Sequence, residues 1–161
     1  MIIKKAKKED IESIHKLDIE SVKHHKTFDK DFYSISERWW KIKKASQLKA
    51  IKSPTDLVLV AESGGKIVGY IWGYIEIMMK YKIGKIQELI VTSKQRGKGI
   101  GTRLIKQMLD FFRNRNCVIS EIGVFVKNLP AIQVYGNAGF KKREYKMQLR
   151  LNETQKFRPF C

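Results

Sequence analysis

Cysteine is nearly absent: Cys117 and Cys161 are the only two in 161 residues. A pair with one member at the final position does not make a disulfide framework, and Cys117, opening an apolar run, is expected to be a buried free thiol. Long hydrophobic stretches are missing too. The most apolar one, residues 67–77, is about half the length that a bilayer requires and is broken by Gly69 and Gly73. The N-terminus carries Lys4, Lys5, Lys7 and Lys8 with only Ile2 and Ile3 as apolar company, which is no signal-peptide core. These absences point to a soluble, reducing, cytoplasmic setting with no membrane partner.

Catalytic nucleophiles and metal ligands are scarce as well. His24 and His25 are adjacent rather than three or four apart, so they make a poor metal pair, and no Gly-x-Ser-x-Gly or Cys-His arrangement is present. No metal is expected. Acidic residues are few: 16 Asp and Glu face 33 Lys and Arg, a net charge of +17. Such a field attracts polyanions, nucleic acid included, and repels polycationic substrates. The lysines are scattered rather than massed in a tail, and no zinc, RNP or helix-turn-helix pattern accompanies them, so nucleic acid is not expected to be the primary ligand.

What is present reads as one domain over residues 1–161, in the order β-α-α-β-β-β-α-β-α-β. Residues 2–6 form a strand. Asp10 is a candidate cap for a first helix with the stripe Ile11, Ile14, Leu17, Ile19 and Val22. Trp39, Trp40, Ile42, Leu48 and Ile51 mark a second helix ending near Pro54. Ser63-Gly64-Gly65 joins two β-rich runs in a hairpin, and a further strand covers residues 85–92. Helices are expected over 100–115 and 128–137, a strand over 117–126, and closing strands within 140–151. Strands alternating with helices imply an α/β (α+β) fold: a mixed, mostly antiparallel sheet of six to seven strands flanked by about four helices.

The most informative segment is Gln95-Arg96-Gly97-Lys98-Gly99-Ile100-Gly101, which follows an apolar strand and opens an amphipathic helix. Glycine permits φ > 0 and close approach of backbone amides to an anion, and a helix N-terminus adds unpaired N–H groups and a positive dipole end. The turn therefore suits a phosphorylated ligand. Its spacing is not a Walker loop, and a dinucleotide fingerprint fails because Thr102 stands where the third glycine belongs.

Arg96-x-x-Gly99-x-Gly101 after a strand resembles the acyl-CoA pyrophosphate loop of the GNAT N-acetyltransferase superfamily. A second block agrees: residues 128–140, Asn-Leu-Pro-Ala-Ile-Gln-Val-Tyr-Gly-Asn-Ala-Gly-Phe, look like that superfamily's Asn-x-x-Ala-x-x-x-Tyr-x-x-x-Gly-Phe. In this block the chain is most similar to the ribosomal-protein alanine N-acetyltransferases. The resemblance spans roughly residues 55–150. It implies a GNAT fold with a splayed strand pair, and acetyl transfer from acetyl-CoA, without metal, by direct attack of an amine on the thioester.

By the same resemblance, the backbone of Leu89, Ile90 and Val91 meets the acetyl and pantetheine parts. Arg96, Gly97, Lys98, Gly99, Ile100, Gly101 and Thr102 hold the pyrophosphate, Asn128 touches the cofactor, and Tyr135 protonates the CoA sulfur. Read from the residues alone, Asn128 is also a natural helix cap and Tyr135 a natural core aromatic. The general base of the alanine acetyltransferases, a glutamate five residues before the Asn, is here Gly123. Glu121, two positions away on the same strand face and about 6.6 Å along it, and Glu88, on the neighbouring strand, are the alternatives. An α-amino group is partly neutral near pH 8 and needs no dedicated base. The expected acceptor is a protein N-terminus or lysine, a ribosomal protein among them. Polyamine or small-molecule acetylation and a non-catalytic CoA-binding or nucleic-acid-associated module are the alternatives. Both monomer and homodimer fit.

Overall fold

A computed structural model describes residues 1–29 and 36–147. Among these, five strands form one sheet in the order β1-β2-β3-β4-β5: β1 Ile2–Lys5, β2 Asp56–Ser63, β3 Lys66–Met78, β4 Tyr81–Val91 and β5 Ile119–Ile122. The first four are antiparallel neighbours and β5 runs parallel to β4, which requires the crossover helix between them. The helices are α1 Ile11–His25, α2 Glu37–Lys52, α3 Ile100–Asn114 and α4 Leu129–Asn137.

Local chemistry explains most boundaries. Gly64 and Gly65, at φ of 56° and 71°, close the two-residue hairpin that pairs Ser63 with Lys66. Met79, at φ 55°, turns β3 into β4, so β4 starts earlier than the pattern predicts. The Ser36 hydroxyl accepts the Trp39 N–H at 3.3 Å and opens α2. Asp10 does not cap α1, because its carboxylate turns back to accept the Lys7 N–H at 2.8 Å. Ile19 leaves the predicted stripe for the surface; Asp18 and Ser21 take buried positions instead.

The sheet separates two cores. On one face α3 packs Leu104, Ile105, Met108 and Phe112 against Leu57, Leu59, Ile71 and Ile86, with Tyr135 of α4 in the same cluster. On the other, α1 and α2 bring Ile14, Leu17 and Ala50 against Val58, Val60, Tyr70 and Ile90. Gly73 and Gly84 are what lets α3 lie so close: a Cβ at Gly84 would stand 2.4 Å from the Phe112 ring, and one at Gly73 2.7 Å from the Met108 sulfur.

Two expectations about strands are corrected. β5 spans four residues rather than ten, because beyond Ile122 Phe125 packs against His25 and Phe28 of the α1 end, ring centroids 5.5 Å and 6.1 Å away, and draws the chain out of the sheet. Residues 140–147 form no strand: Phe140 folds back on Tyr135, its N–H donating to the Tyr135 carbonyl, while Tyr145 and Met147 stand in solvent at 79% and 91% exposure. Residues 148–151 of the predicted closing segment lie outside the described residues, as does Cys161. The six or seven strands expected are thus five among the described residues. Cys117 is half-buried beside the α3 core, and burial pushes its thiol pKa up.

Candidate functional site

β4 and β5 pair only from Ile83 with Ile119 to Ile86 with Ile122. β4 continues five residues further, to Val91, so the sheet opens there and the edge of residues 87–91 that faces away from β3 has no partner strand among the described residues. Apart from the Val91 carbonyl, which accepts from Arg96, the outward backbone groups of this edge have no hydrogen-bond partner among the described residues.

The glycine turn lies at the end of that free edge. Arg96 donates from Nε to the Val91 carbonyl at 3.1 Å, and the Lys98 ammonium donates to the Gln95 side chain at 2.9 Å, tying the turn to the strand it follows. Gly97 and Gly99 take φ of 75° and 74°, and a Cβ on either would meet nothing within 4 Å. Packing therefore does not demand glycine there; backbone conformation and an uncovered surface do. α3 starts at Gly99 with no side-chain cap. Its first backbone bond runs from the Arg103 N–H to the Gly99 carbonyl, and the amides of residues 97–102 donate to no protein acceptor among the described residues. A run of orphan N–H groups at a helix N-terminus is an anion cradle. Gly101 differs: a Cβ there would meet Leu89 at 3.8 Å and Val134 at 4.0 Å, ordinary contact distances, so it lies where α3 packs against β4 and α4.

Tyr135 stands in that same layer. It is buried at 9% exposure, edge-on to Phe140 with centroids 6.1 Å apart, and burial lifts its phenol pKa to about 12. Asn128 opens α4, its side-chain oxygen accepting the Ala131 N–H at 3.3 Å, and its own N–H donates to Phe125 on the far lip of the opening. α1 bridges the two lips. The Glu20 carboxylate accepts from the Thr92 hydroxyl at 2.8 Å and the Ser93 N–H at 2.6 Å, while His25 and Phe28 hold Phe125.

The two glutamates differ sharply. A bulge between Trp72 and Gly73 leaves Gln87 without a cross-strand partner, which shifts the alternation of β4 by one residue. Ile86, Leu89 and Val91 consequently face α3, whereas Glu88 and Ile90 face α1 and α2. Glu88 and Tyr135 thus flank the strand from opposite faces. Glu88 belongs to a buried polar network that the sequence reading missed. The Lys43 ammonium lies 2.6 Å from Glu88 and 3.1 Å from Asp18, the Tyr70 hydroxyl touches both carboxylates, and Gln47 donates to Asp18 at 2.8 Å and to the Tyr70 oxygen at 3.3 Å. Burial raises the Glu88 pKa, Lys43 opposes it and Asp18 adds to it; burial, then the two carboxylates, hold the Tyr70 phenol well above its ordinary value. The available signal was Asp18, an acid on the apolar face of α1. Glu121, by contrast, is nearly half exposed and engaged by Lys85, which also reaches Glu76 at 3.3 Å. Gly123 has open space where a side chain would go.

Comparison with known proteins agrees with this geometry. The family model described as the acetyltransferase (GNAT) family matches residues 3–140. An uncharacterised N-acetyltransferase of Methanocaldococcus jannaschii is 32% identical over 127 residues, 76% of this chain and 54% of the relative. The chain spans between 54% and 64% of the length of the first curated relatives it matches. Among solved structures, a Bacillus halodurans protein crystallised as a point mutant superposes with a TM-score of 0.84 at 23% identity, covering 94% of this chain and 99% of that one. AAC(6')-Iy, solved with the bisubstrate analogue CoA-S-monomethyl-acetylneamine, superposes with a TM-score of 0.70 at 15% identity over 92% of this chain and 96% of that one. At these identities the structures show a shared fold. With the sheet opening beside an amide cradle and a family match over most of its length, the chain belongs to the GNAT acetyltransferase family.

Proposed function

We propose that the protein transfers an acetyl group from acetyl-CoA to a primary amine by direct attack on the thioester. The observation that carries this reading is the continuity of two features on one strand: the unpaired edge of residues 87–91 leads straight into the orphan amides of 97–102. A ligand with an amide-bearing arm and a diphosphate uses both at once. Leu89, Ile90 and Val91 would pair with the pantetheine arm, Arg96 to Thr102 would hold the pyrophosphate, and Asn128 would meet the cofactor from the far lip. The cofactor supplies an acetyl thioester, and the chain supplies the rest.

Tyr135 gives the departing sulfur a hydrogen bond and its proton. Glu88 takes the proton of the acceptor ammonium, for which a burial-raised carboxyl is a better base than an exposed one. Glu121 is not given this role, since Lys85 holds it. The acceptor is an amine on a protein, an N-terminus or a lysine, because a net charge of +17 disfavours polycations. The second sequence block resembles that of the ribosomal alanine type, which makes a ribosomal protein one candidate acceptor. The test is calorimetry with CoA followed by release of free thiol across N-terminal peptides, lysine peptides and polyamines. Saturable turnover with peptides supports the reading, turnover confined to polyamines overturns the acceptor, and absence of heat with CoA overturns the function.

A further inference from the structure

Lys43 stands where the chemistry above needs an amine. α2 carries it, one turn after Trp39, whose ring its ammonium overlies at 5.1 Å. The side chain is 12% exposed, its nitrogen 2.6 Å from Glu88 and 3.1 Å from Asp18. Most of the described lysines carry their charge in water; this one is taken into the sheet face and fixed there by two carboxylates. Glu88 directly precedes Leu89–Val91, the edge assigned to the acetyl and pantetheine groups. In the protein without an external acceptor, the amine in contact with the proposed base is therefore the protein's own.

We propose that, with acetyl-CoA bound and no external acceptor present, the chain acetylates its own Lys43. This rests on the reading of Glu88 and Tyr135 given above. The step balances as an ordinary aminolysis. The Lys43 nitrogen gives one proton to Glu88 and attacks the thioester carbonyl carbon, a C–N bond forms and the C–S bond breaks. Of the ammonium's three protons, one stays on the amide nitrogen, one remains on Glu88 and one ends on the sulfur, delivered by Tyr135 and restored to it from the amine. Asp18 and Tyr70 act as positioning residues, since they hold both the ammonium and the carboxylate in place. The modification is self-limiting at one acetyl group per chain. Its product is neutral, so Asp18 and Glu88 lose the cation they share, and once Glu88 has released its proton the next ammonium to enter meets an unopposed pair of carboxylates.

The experiment incubates the full-length chain with isotope-labelled acetyl-CoA near neutral pH, without acceptor, and follows each lysine by peptide mass spectrometry. Lys41 of the same helix, 77% exposed, reports spontaneous acetylation, which favours exposed lysines. Labelling of Lys43 at least about tenfold faster than Lys41, at a rate unchanged when the protein is diluted, is expected of a group already held in place. Glu88→Gln slows it about a hundredfold, the low end of general-base assistance. Lys43→Arg keeps the cation and the fold and shows no label on that peptide. Labelling of Lys43 no faster than Lys41, or at a rate that scales with protein concentration, overturns the inference. If the same preparation acetylates an added peptide while Lys43 stays unlabelled, the inference fails alone. If no amine is labelled and CoA gives no heat, the function itself fails.

Discussion

Tyr135→Phe removes one oxygen and nothing else, and the surroundings of that oxygen set its consequences. The ring stays in the α3 core against Phe140. Among the described residues no hydrogen bond contributes to the state of the phenol, which burial shifts. Stability should accordingly change by no more than about 1 kcal/mol, with stabilisation as conceivable as loss. Activity is another matter. A phenol at about 12 faces a departing thiolate whose thiol has an ordinary value of about 8.5, so handing it the proton outright would be uphill by roughly 5 kcal/mol until the phenol is resupplied from the amine. The residue therefore stabilises the developing negative sulfur mainly as a hydrogen-bond donor, and the proton follows as the bond breaks. A hydrogen bond to a charged group contributes about 1.5–3 kcal/mol, which converts to a fall in turnover of roughly 10- to 150-fold. The measurement is thiol release at saturating acetyl-CoA, with urea unfolding on the same preparations. Because the phenol keeps its proton through the working range, Tyr135 should contribute no alkaline limb below about pH 11 to the wild-type profile. Turnover within about twofold of wild type at unchanged stability would refute the assigned role. A loss of several kcal/mol in stability would show instead that the hydroxyl has a structural partner.

Gly99→Ala places an L side chain at φ 74° in open space, costing about 1–2 kcal/mol of strain without a clash, and its methyl covers the amide cradle. Calorimetry should show weakened CoA association in a folded protein, and undiminished affinity would count against the cradle. Gly84→Ala drives a methyl into the buried Phe112 ring and should lower unfolding free energy by about 1–3 kcal/mol in urea titrations, partly regained in a Gly84→Ala, Phe112→Leu double variant. Burial alone would raise the Glu20 carboxyl, but the Ser93 amide and hydroxyl, the Thr92 hydroxyl and Arg96 outweigh it and hold the group below its ordinary value. A lowered folded value contributes stability above the unfolded value of about 4.3 that is lost as pH falls through the folded one. Glu20→Gln should therefore flatten the acid side of the stability profile, and an unchanged acid limb would dismiss the clamp. Glu121→Gln breaks an ion pair open to solvent, costs at most about 1 kcal/mol and should leave turnover unaltered; a large kinetic loss would reinstate Glu121 as the base.

Much of the site was legible because its causes are local. Gly97 and Gly99 are required by the φ of their own residues, α3 follows from the period of its apolar positions, and the β2–β3 hairpin follows from Gly64-Gly65. Such features depend on neighbours in the chain, so a pattern of residue types is enough to read them. The same holds for Asn128, whose capping bond closes over three residues.

What the chain order could not disclose is which groups meet across the sheet. The side of β4 that Glu88 faces depends on the bulge at Gln87, and that bulge is a matter of register with β3. Asp18, Lys43, Tyr70 and Glu88 come from α1, α2, β3 and β4, and no spacing in the sequence relates them. Glu121 read as a candidate base until cross-strand pairing set Lys85 beside it. β5 ends early because Phe125 is drawn to the end of α1, a contact between segments about a hundred positions apart. The amino-acid sequence by itself therefore determined the glycine turn, the helices and the family, since these rest on backbone conformation and short-range periodicity. Only the tertiary structure decided which carboxylate is buried against a lysine and which is open to water, since that depends on desolvation and distance between elements.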